Sequence, residues 1–176
     1  MKIETINFPQ QSILAKSKFD YSDSFKGTFL DKENKIDSLA LGKAFFSSVP
    51  KWGEKLFVFR NKIVAVFGLK TSEKPNNRAE ILNNFKGEVG EQVGLFKVFH
   101  KSDNEIVLGE NDKHLNFRVS LLFTEKDEQT NFLFVSTTVV FHNWLGRLYF
   151  LPVKPFHKLI VPKMLKNMVR ELESLN

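Results

Sequence analysis

The residues of this sequence that could act as acids, bases or metal ligands are four histidines and a few nearby carboxylates. The histidines are His100, His114, His142 and His157. No two of them have the close helical spacing of a motif such as HExxH. Asp112, His114 and His142 could form a metal site only if neighbouring strand ends brought them together. We therefore predict no bound metal.

General acid–base catalysis is the next chemistry that these residues could support. Glu105, Asp112, His114 and Arg118 lie on or near one predicted hairpin. An imidazole or a carboxylate in an apolar cavity can exchange protons with a substrate. However, a step of one residue reverses the face of a strand, so His114 and Arg118 point away from the side of Phe117. A non-catalytic protein is the favoured prediction, and His114 with Glu105 or Asp112 is the catalytic alternative.

Covalent and dinucleotide chemistry have no support in the sequence. The absence of cysteine excludes thiolate catalysis, disulfides and cysteine-based zinc sites. No GxSxG nucleophile elbow is present. The glycine-rich segment 87–94 lacks the preceding strand and following helix of a dinucleotide-binding unit. We predict no cofactor.

The composition is typical of one globular domain with a large apolar interior. The chain has 176 residues, of which 42% are hydrophobic and 26% charged, which fits a single domain, 1–176. Its 19 Phe against 2 Tyr and 2 Trp bring apolar area with few polar groups. They indicate either an aromatic-lined cavity or a core filled by Phe. Without a signal-peptide core or a membrane-length apolar run, the expected location is the cytoplasm, with no integral membrane contact.

Positive charge is concentrated near the C-terminus. The net charge is +6, and the segment from Trp144 onward has six basic residues against Glu171 and Glu173. The basic residues do not alternate with aromatic residues as in an RNA-binding strand, so no nucleic acid partner is expected. A solvated helix face is the favoured interpretation of this charge.

The elements that must position these residues follow from periodicity. Residues 1–18 form an irregular lead-in, and 20–30 alternate as a first strand. A helix capped by Asp37 or Ser38 ends near Val49, since Pro50 disfavours helix before it. A second helix runs from Pro50 to about Gly68, and a short helix covers 78–85. Four β-like segments separated by short polar turns then predict an antiparallel meander: 95–102, 105–110, 113–125 and 131–143.

The C-terminal segment 144–176 is predicted to close the sheet. Apolar residues at helical spacing give it one packing stripe: Phe156, Leu159, Ile160, Met164, Met168 and Leu172. Proline removes a helical hydrogen bond and bends the axis. Because of Pro152, Pro155 and Pro162, we expect an irregular stretch over 144–154, a helix from about Pro155, and a kink or break near Pro162.

Two segments carry a resemblance to a known superfamily: LGENDKHLNFRVSLL (108–122) and HNWLGRLYFLPVKPFHKLIVPKML (142–165), with FRNKIVAVFGLKT (59–71) weaker. With the order of elements, they resemble the START-like, helix-grip superfamily of lipid-transfer proteins and polyketide cyclases. Within it, the chain resembles a bacterial family of unknown function that also occurs fused to short-chain-dehydrogenase-like domains. The resemblance covers about residue 20 to the end. It implies an α+β fold in which a curved antiparallel sheet, with two helices inserted after its first strand, wraps around a long C-terminal helix. Sheet and helix would enclose an apolar cavity.

The resulting prediction is a protein that binds a small hydrophobic or aromatic molecule. The residues expected to line or anchor the site are Trp52, Phe59, Arg60, Phe117, Arg118, Phe134, Trp144 and Phe156, with His114 as a further polar anchor. A cyclase or dehydratase that uses His114 with Glu105 or Asp112 is one alternative. A protein-interaction domain whose cavity is filled by its own Phe side chains is another.

Overall fold

The computed structural model describes residues 2–32, 35–50 and 82–175. The predicted second helix, together with Trp52, Phe59 and Arg60, lies outside the described residues. The described chain is α+β, as predicted. Its elements in chain order are β1 (Glu4–Thr5), a 3₁₀ turn (Ile13–Lys16), β2 (Tyr21–Leu30), α1 (Ser38–Ser47), β3 (Gln92–Val93), β4 (Phe96–Lys101), β5 (Glu105–Asn111), β6 (Leu115–Asp127), β7 (Thr130–Phe141) and α2 (Trp144–Glu173).

The strands form one curved antiparallel sheet in the order β1-β2-β7-β6-β5-β4-β3. The predicted meander is confirmed from β4 to β7, where each strand pairs with the next through a short turn. The first long strand, β2, returns to pair with the last one, β7, along its whole length. This closing pair places Asp23 directly opposite Thr137, although more than a hundred residues separate them in sequence.

The inner face of the sheet holds the core. The predicted apolar side of β6 faces inward, and Val119 and Leu121 on it are buried. Helix α1 packs against this face. Its N-cap is Asp37, whose carboxylate accepts a hydrogen bond from the amide of Ala40 at 2.8 Å, as one of the two predicted caps. An N-cap bond satisfies one of the free amides at a helix start.

Helix α2 corrects the prediction for the C-terminal segment. It is one continuous helix over Trp144–Glu173 that contains all three prolines. It begins at Trp144 because Asn143 is its N-cap: the side-chain oxygen of Asn143 accepts a 3.2 Å hydrogen bond from the amide of Gly146. Each internal proline costs roughly 3 kcal/mol. Burial of nine α2 residues against the rest of the fold offsets that cost. Within the described chain, no helix has the length and apolar character needed to span a bilayer.

The buried stripe of α2 is partly the predicted one. Met164, Met168 and Leu172 are buried as predicted, whereas Leu159 is 66% exposed. The stretch predicted to be irregular is helical, and its first turn lies close to β6: a Cβ on Gly146 would overlap the carbonyl oxygen of His114. Glycine at this position therefore lets the first turn of α2 contact the start of β6.

The lead-in covers the outer face of the sheet at its centre. The lead-in 1–18 is partly regular, and Ser12, the N-cap of its 3₁₀ turn, contacts this face. Ser12 and Ser120 each donate a 2.6 Å hydrogen bond to Glu105 Oε1, and the amide of Ile13 donates to Oε2 at 3.0 Å. All three side chains, which we call the outer network, are buried.

Candidate functional site

A cavity of about 280 Å³ lies between the inner face of the sheet, the end of α1 and residues 149–168 of α2. Most of its lining is aromatic or aliphatic. Side chains from every surrounding element contribute, among them Phe45, Phe96, Phe117, Val139, Phe150 and Met164. Its volume is roughly twice that of an engineered apolar cavity that holds benzene. The space therefore suits a molecule with one or two rings or a short chain.

Two polar side chains in this wall belong to one hydrogen-bonded chain. His157 projects from α2 and Thr137 from β7, and both line the cavity. The Nε2 atom of His157 lies 3.2 Å from the hydroxyl of Thr137, and Nδ1 lies 3.0 Å from Asp23 Oδ2. We call Asp23, His157 and Thr137, together with Tyr21, the inner network.

The chemistry of each partner sets the direction of these bonds. An ionised carboxylate only accepts hydrogen bonds, so Nδ1 of His157 is the donor to Asp23. In the neutral imidazole, Nε2 is then an acceptor, and the hydroxyl of Thr137 donates to it. The oxygen of Thr137 keeps an acceptor position for a group inside the cavity. A histidine that acts as a general base is commonly held in one tautomer and one orientation by a carboxylate in this way.

Tyr21 completes the inner network. Its phenol donates a 2.7 Å hydrogen bond to Asp23 Oδ2, the same oxygen that His157 contacts. Burial, reinforced by the hydrogen bond and the negative charge of Asp23, raises the pKa of Tyr21 above its usual range. The other oxygen, Oδ1, is buried and has no hydrogen-bond partner among the described residues. Buried polar atoms without a partner are uncommon in folded proteins.

The predicted ligand-binding residues fall in different places. Phe117 and Phe156 line the cavity, as does Asp112. Phe134 and Arg118 alternate with cavity-lining residues along β7 and β6, so they lie on the outer face. Trp144 is 68% exposed on α2.

Arg118 has a structural environment of its own on the outer face. Its guanidinium lies 3.5 Å from the centre of the Phe99 ring and donates to the carbonyl oxygens of Glu110 and Phe117. It also donates to Asn111 Oδ1 at 2.6 Å. Burial lowers the pKa of Arg118.

The predicted catalytic group is dispersed. His114 is buried, and its Nδ1 lies 3.1 Å from Asn143 Oδ1 beside the start of α2. It meets Asp112 through its backbone amide, which donates to Oδ1 at 3.2 Å. Glu105 instead belongs to the outer network. Over residues 2–32, 35–50 and 82–175, no three His, Asp or Glu side chains gather as a metal site.

Sequence reasoning missed the inner network. Its clearest signal was the position of Asp23 on the side of β2 that also carries Phe25 and Gly27, because an acidic residue between buried neighbours needs a partner. The partner could not be named, since His157 is 134 positions away.

A family model described as proteins of unknown function, DUF2867, matches residues 15–164. Because the match covers most of the chain, the protein belongs to this family. A crystal structure of a conserved protein from Geobacillus kaustophilus is similar, with 11% sequence identity and a TM-score of 0.42 over 88% of this chain and 96% of that one. No curated protein matches the sequence.

Proposed function

We propose that this DUF2867 protein binds a small, largely apolar molecule in the cavity between the sheet and α2, with one polar group of the ligand held by Thr137 and His157. The observation that carries the proposal is the 280 Å³ apolar cavity with the inner network in its wall. Binding sites for small molecules are typically apolar concavities with a few convergent polar groups. We also propose that the protein is a member of the START-like superfamily and that it is located in the cytoplasm.

The polar part of the wall limits which ligands fit. Glu110 and Asp112 also line the cavity, and they disfavour an anionic ligand. Thr137 offers an oxygen that can accept a hydrogen bond. A neutral aromatic or aliphatic molecule with one hydroxyl or amine therefore matches the wall best, because an unpaired polar group would lose affinity on burial.

The test is native mass spectrometry of the purified protein, combined with thermal shifts against a panel of neutral phenols and aliphatic alcohols. Two neighbouring valines on β7 provide matched variants. Val139 lines the cavity, and Val140 lies on the opposite face. Val139→Phe should fill the cavity and abolish both the bound mass and the shifts, whereas Val140→Phe should keep them. If the wild type shows no bound molecule and no thermal shift with any compound, the proposal is rejected.

A second candidate function is proton transfer to and from the bound molecule, with His157 as the base. The observation that favours it is the orientation of His157 by Asp23, which leaves Nε2 facing the hydroxyl of Thr137 at the cavity wall. The proton would pass from the ligand to Nε2, directly or through Thr137, and a proton from solvent would replace it. This assignment differs from the pair of His114 with Glu105 or Asp112, which remains an untested prediction.

Deuterium exchange tests this chemistry. In heavy water, a ligand with an acidified C–H bond should gain mass while bound to the wild type. His157→Gln should retain the ligand and stop the exchange, because an amide cannot accept the proton. No exchange in the wild type, or equal exchange in His157→Gln, would exclude His157 as a base.

A further inference from the structure

The exposed side of α2 carries an apolar stripe that residues 2–32, 35–50 and 82–175 leave uncovered. Trp144, Leu148, Leu151 and Leu159 are 68%, 43%, 66% and 66% exposed. Their spacing of four, three and eight residues places them on one side of the helix, opposite the buried residues Tyr149, Phe150, Val161 and Met164. The stripe extends for about 22 Å along the helix axis.

Basic residues border this stripe. Between Trp144 and Arg170 the sequence contains six Lys or Arg and neither Asp nor Glu. At 100° per residue, Lys154 and Lys158 fall on one side of the stripe and Lys163 on the other, and all three are exposed. Two of the six basic residues already have partners in the fold: Arg147 pairs with Asp20 at 3.2 Å, and Lys154 lies 5.1 Å from the centre of the Tyr21 ring. Of the three lysines that border the stripe, Lys158 and Lys163 therefore contribute most to an external contact.

We infer that this face of α2 docks onto the surface of an anionic lipid bilayer. An amphipathic helix with Trp and Leu on one side and Lys at the borders lies in the interfacial plane of such membranes. Tryptophan favours the headgroup level, and each lysine near the surface is attracted by anionic lipids. The helix has one side for the protein core and the opposite side for the membrane.

Docking on this face would place the cavity beside the bilayer. Pro152, Val153 and Ile160 line the cavity from the same part of α2 that carries Leu151 and Leu159 on its outer side. One helix would thus contact a lipid surface and form a wall of the apolar cavity. Membrane docking does not depend on the proposed ligand binding, because the residues of the stripe lie outside the cavity lining.

Flotation of the intact protein with vesicles tests the inference. The wild type should float with phosphatidylcholine vesicles that contain phosphatidylserine, and much less with pure phosphatidylcholine. The double variant Lys158→Glu/Lys163→Glu should lower the partition coefficient by at least about tenfold. The control Lys18→Glu/Lys97→Glu changes the net charge equally at exposed positions outside α2, and it should keep most of the binding.

A third variant tests the apolar part. Trp144→Ala/Leu151→Ala should weaken binding by about tenfold, because less apolar area enters the interface. Equal losses in the two charge variants would reject docking through α2. Equal flotation with neutral and anionic vesicles, or no flotation, would reject an anionic membrane. Self-association in light scattering that Leu151→Ala abolishes would assign the stripe to a second copy of the chain and overturn the inference.

Discussion

Two buried polar networks lie on opposite faces of the same sheet, and they differ in what surrounds them. The outer network joins Glu105 to Ser12, Ser120 and the amide of Ile13, and each carboxylate oxygen has a partner. The inner network joins Asp23 to His157 and Tyr21, and one carboxylate oxygen has no partner among the described residues. Only the inner network contributes side chains to the wall of the cavity. A buried acidic residue is thus not by itself a sign of function, and the space beside it has to be considered.

We propose that the outer network stabilises the fold and that the inner network serves the proposed ligand binding. Glu105 ties the lead-in to the centre of the sheet, while Thr137 and His157 face space that a ligand could fill. Substitutions should therefore separate the two roles.

The largest expected effect is on stability, from Glu105→Ala in the outer network. Three hydrogen-bond donors would lose their acceptor in a buried place, so the free energy of unfolding should fall by about 3 kcal/mol or more. Urea denaturation measures it. Glu128→Ala, on the exposed turn between β6 and β7, should change it by less than about 0.5 kcal/mol. A loss from Glu105→Ala as small as that of the control would mean that the outer network does not hold the lead-in.

The next effect is on ligand affinity, from two adjacent threonines. Thr137 lines the cavity, and Thr138 is equally buried on the outer face. Thr137→Val keeps the shape of the side chain and removes the hydroxyl, so affinity for a neutral phenol should fall about tenfold. Thr138→Val should leave affinity unchanged. Calorimetric titration gives both values, and equal effects of the two variants would remove the distinction between the faces.

The smallest effect concerns pH and Tyr21. The folded protein holds the pKa of Tyr21 above the value of an unfolded chain. The stabilisation is complete below the unfolded value of about 10, and it decreases as the pH rises further. Between about pH 8 and pH 11, the wild type should therefore lose more stability than Tyr21→Phe, which has no phenol to ionise. Parallel pH curves for the two proteins would contradict the buried environment of this phenol.

Alternation and capping residues predicted most of the described fold. The inward side of β6, the hairpins from β4 to β7 and the Asp37 cap of α1 all followed from local patterns. The start of α2 did not follow from them. Proline disfavours helix locally, whereas the tertiary contacts of Tyr149, Phe150 and Gly146 stabilise the first turns. Proline preference is a local term, and burial of a long helix outweighs it.

The candidate site was harder to predict than the fold. Glu105, one of the two carboxylates predicted to act with His114, binds the lead-in instead. His157 lines the cavity, and its bond to Asp23 joins α2 to β2. Contacts of that range depend on which strands become neighbours. The pairing of β2 with β7 decides this, and no local pattern specifies that pairing.

The most direct test of the central claim is methyl NMR of the labelled threonines and methionines during titration with 1-naphthylamine, a neutral two-ring aromatic amine. Thr137, Met164 and Met168 line the cavity, and Thr138 reports on the outer face. The account predicts saturable shifts for the three lining residues and an unchanged signal for Thr138. Shifts confined to Thr138 and other outer residues, or no saturable shift at Thr137, would contradict ligand binding beside the inner network.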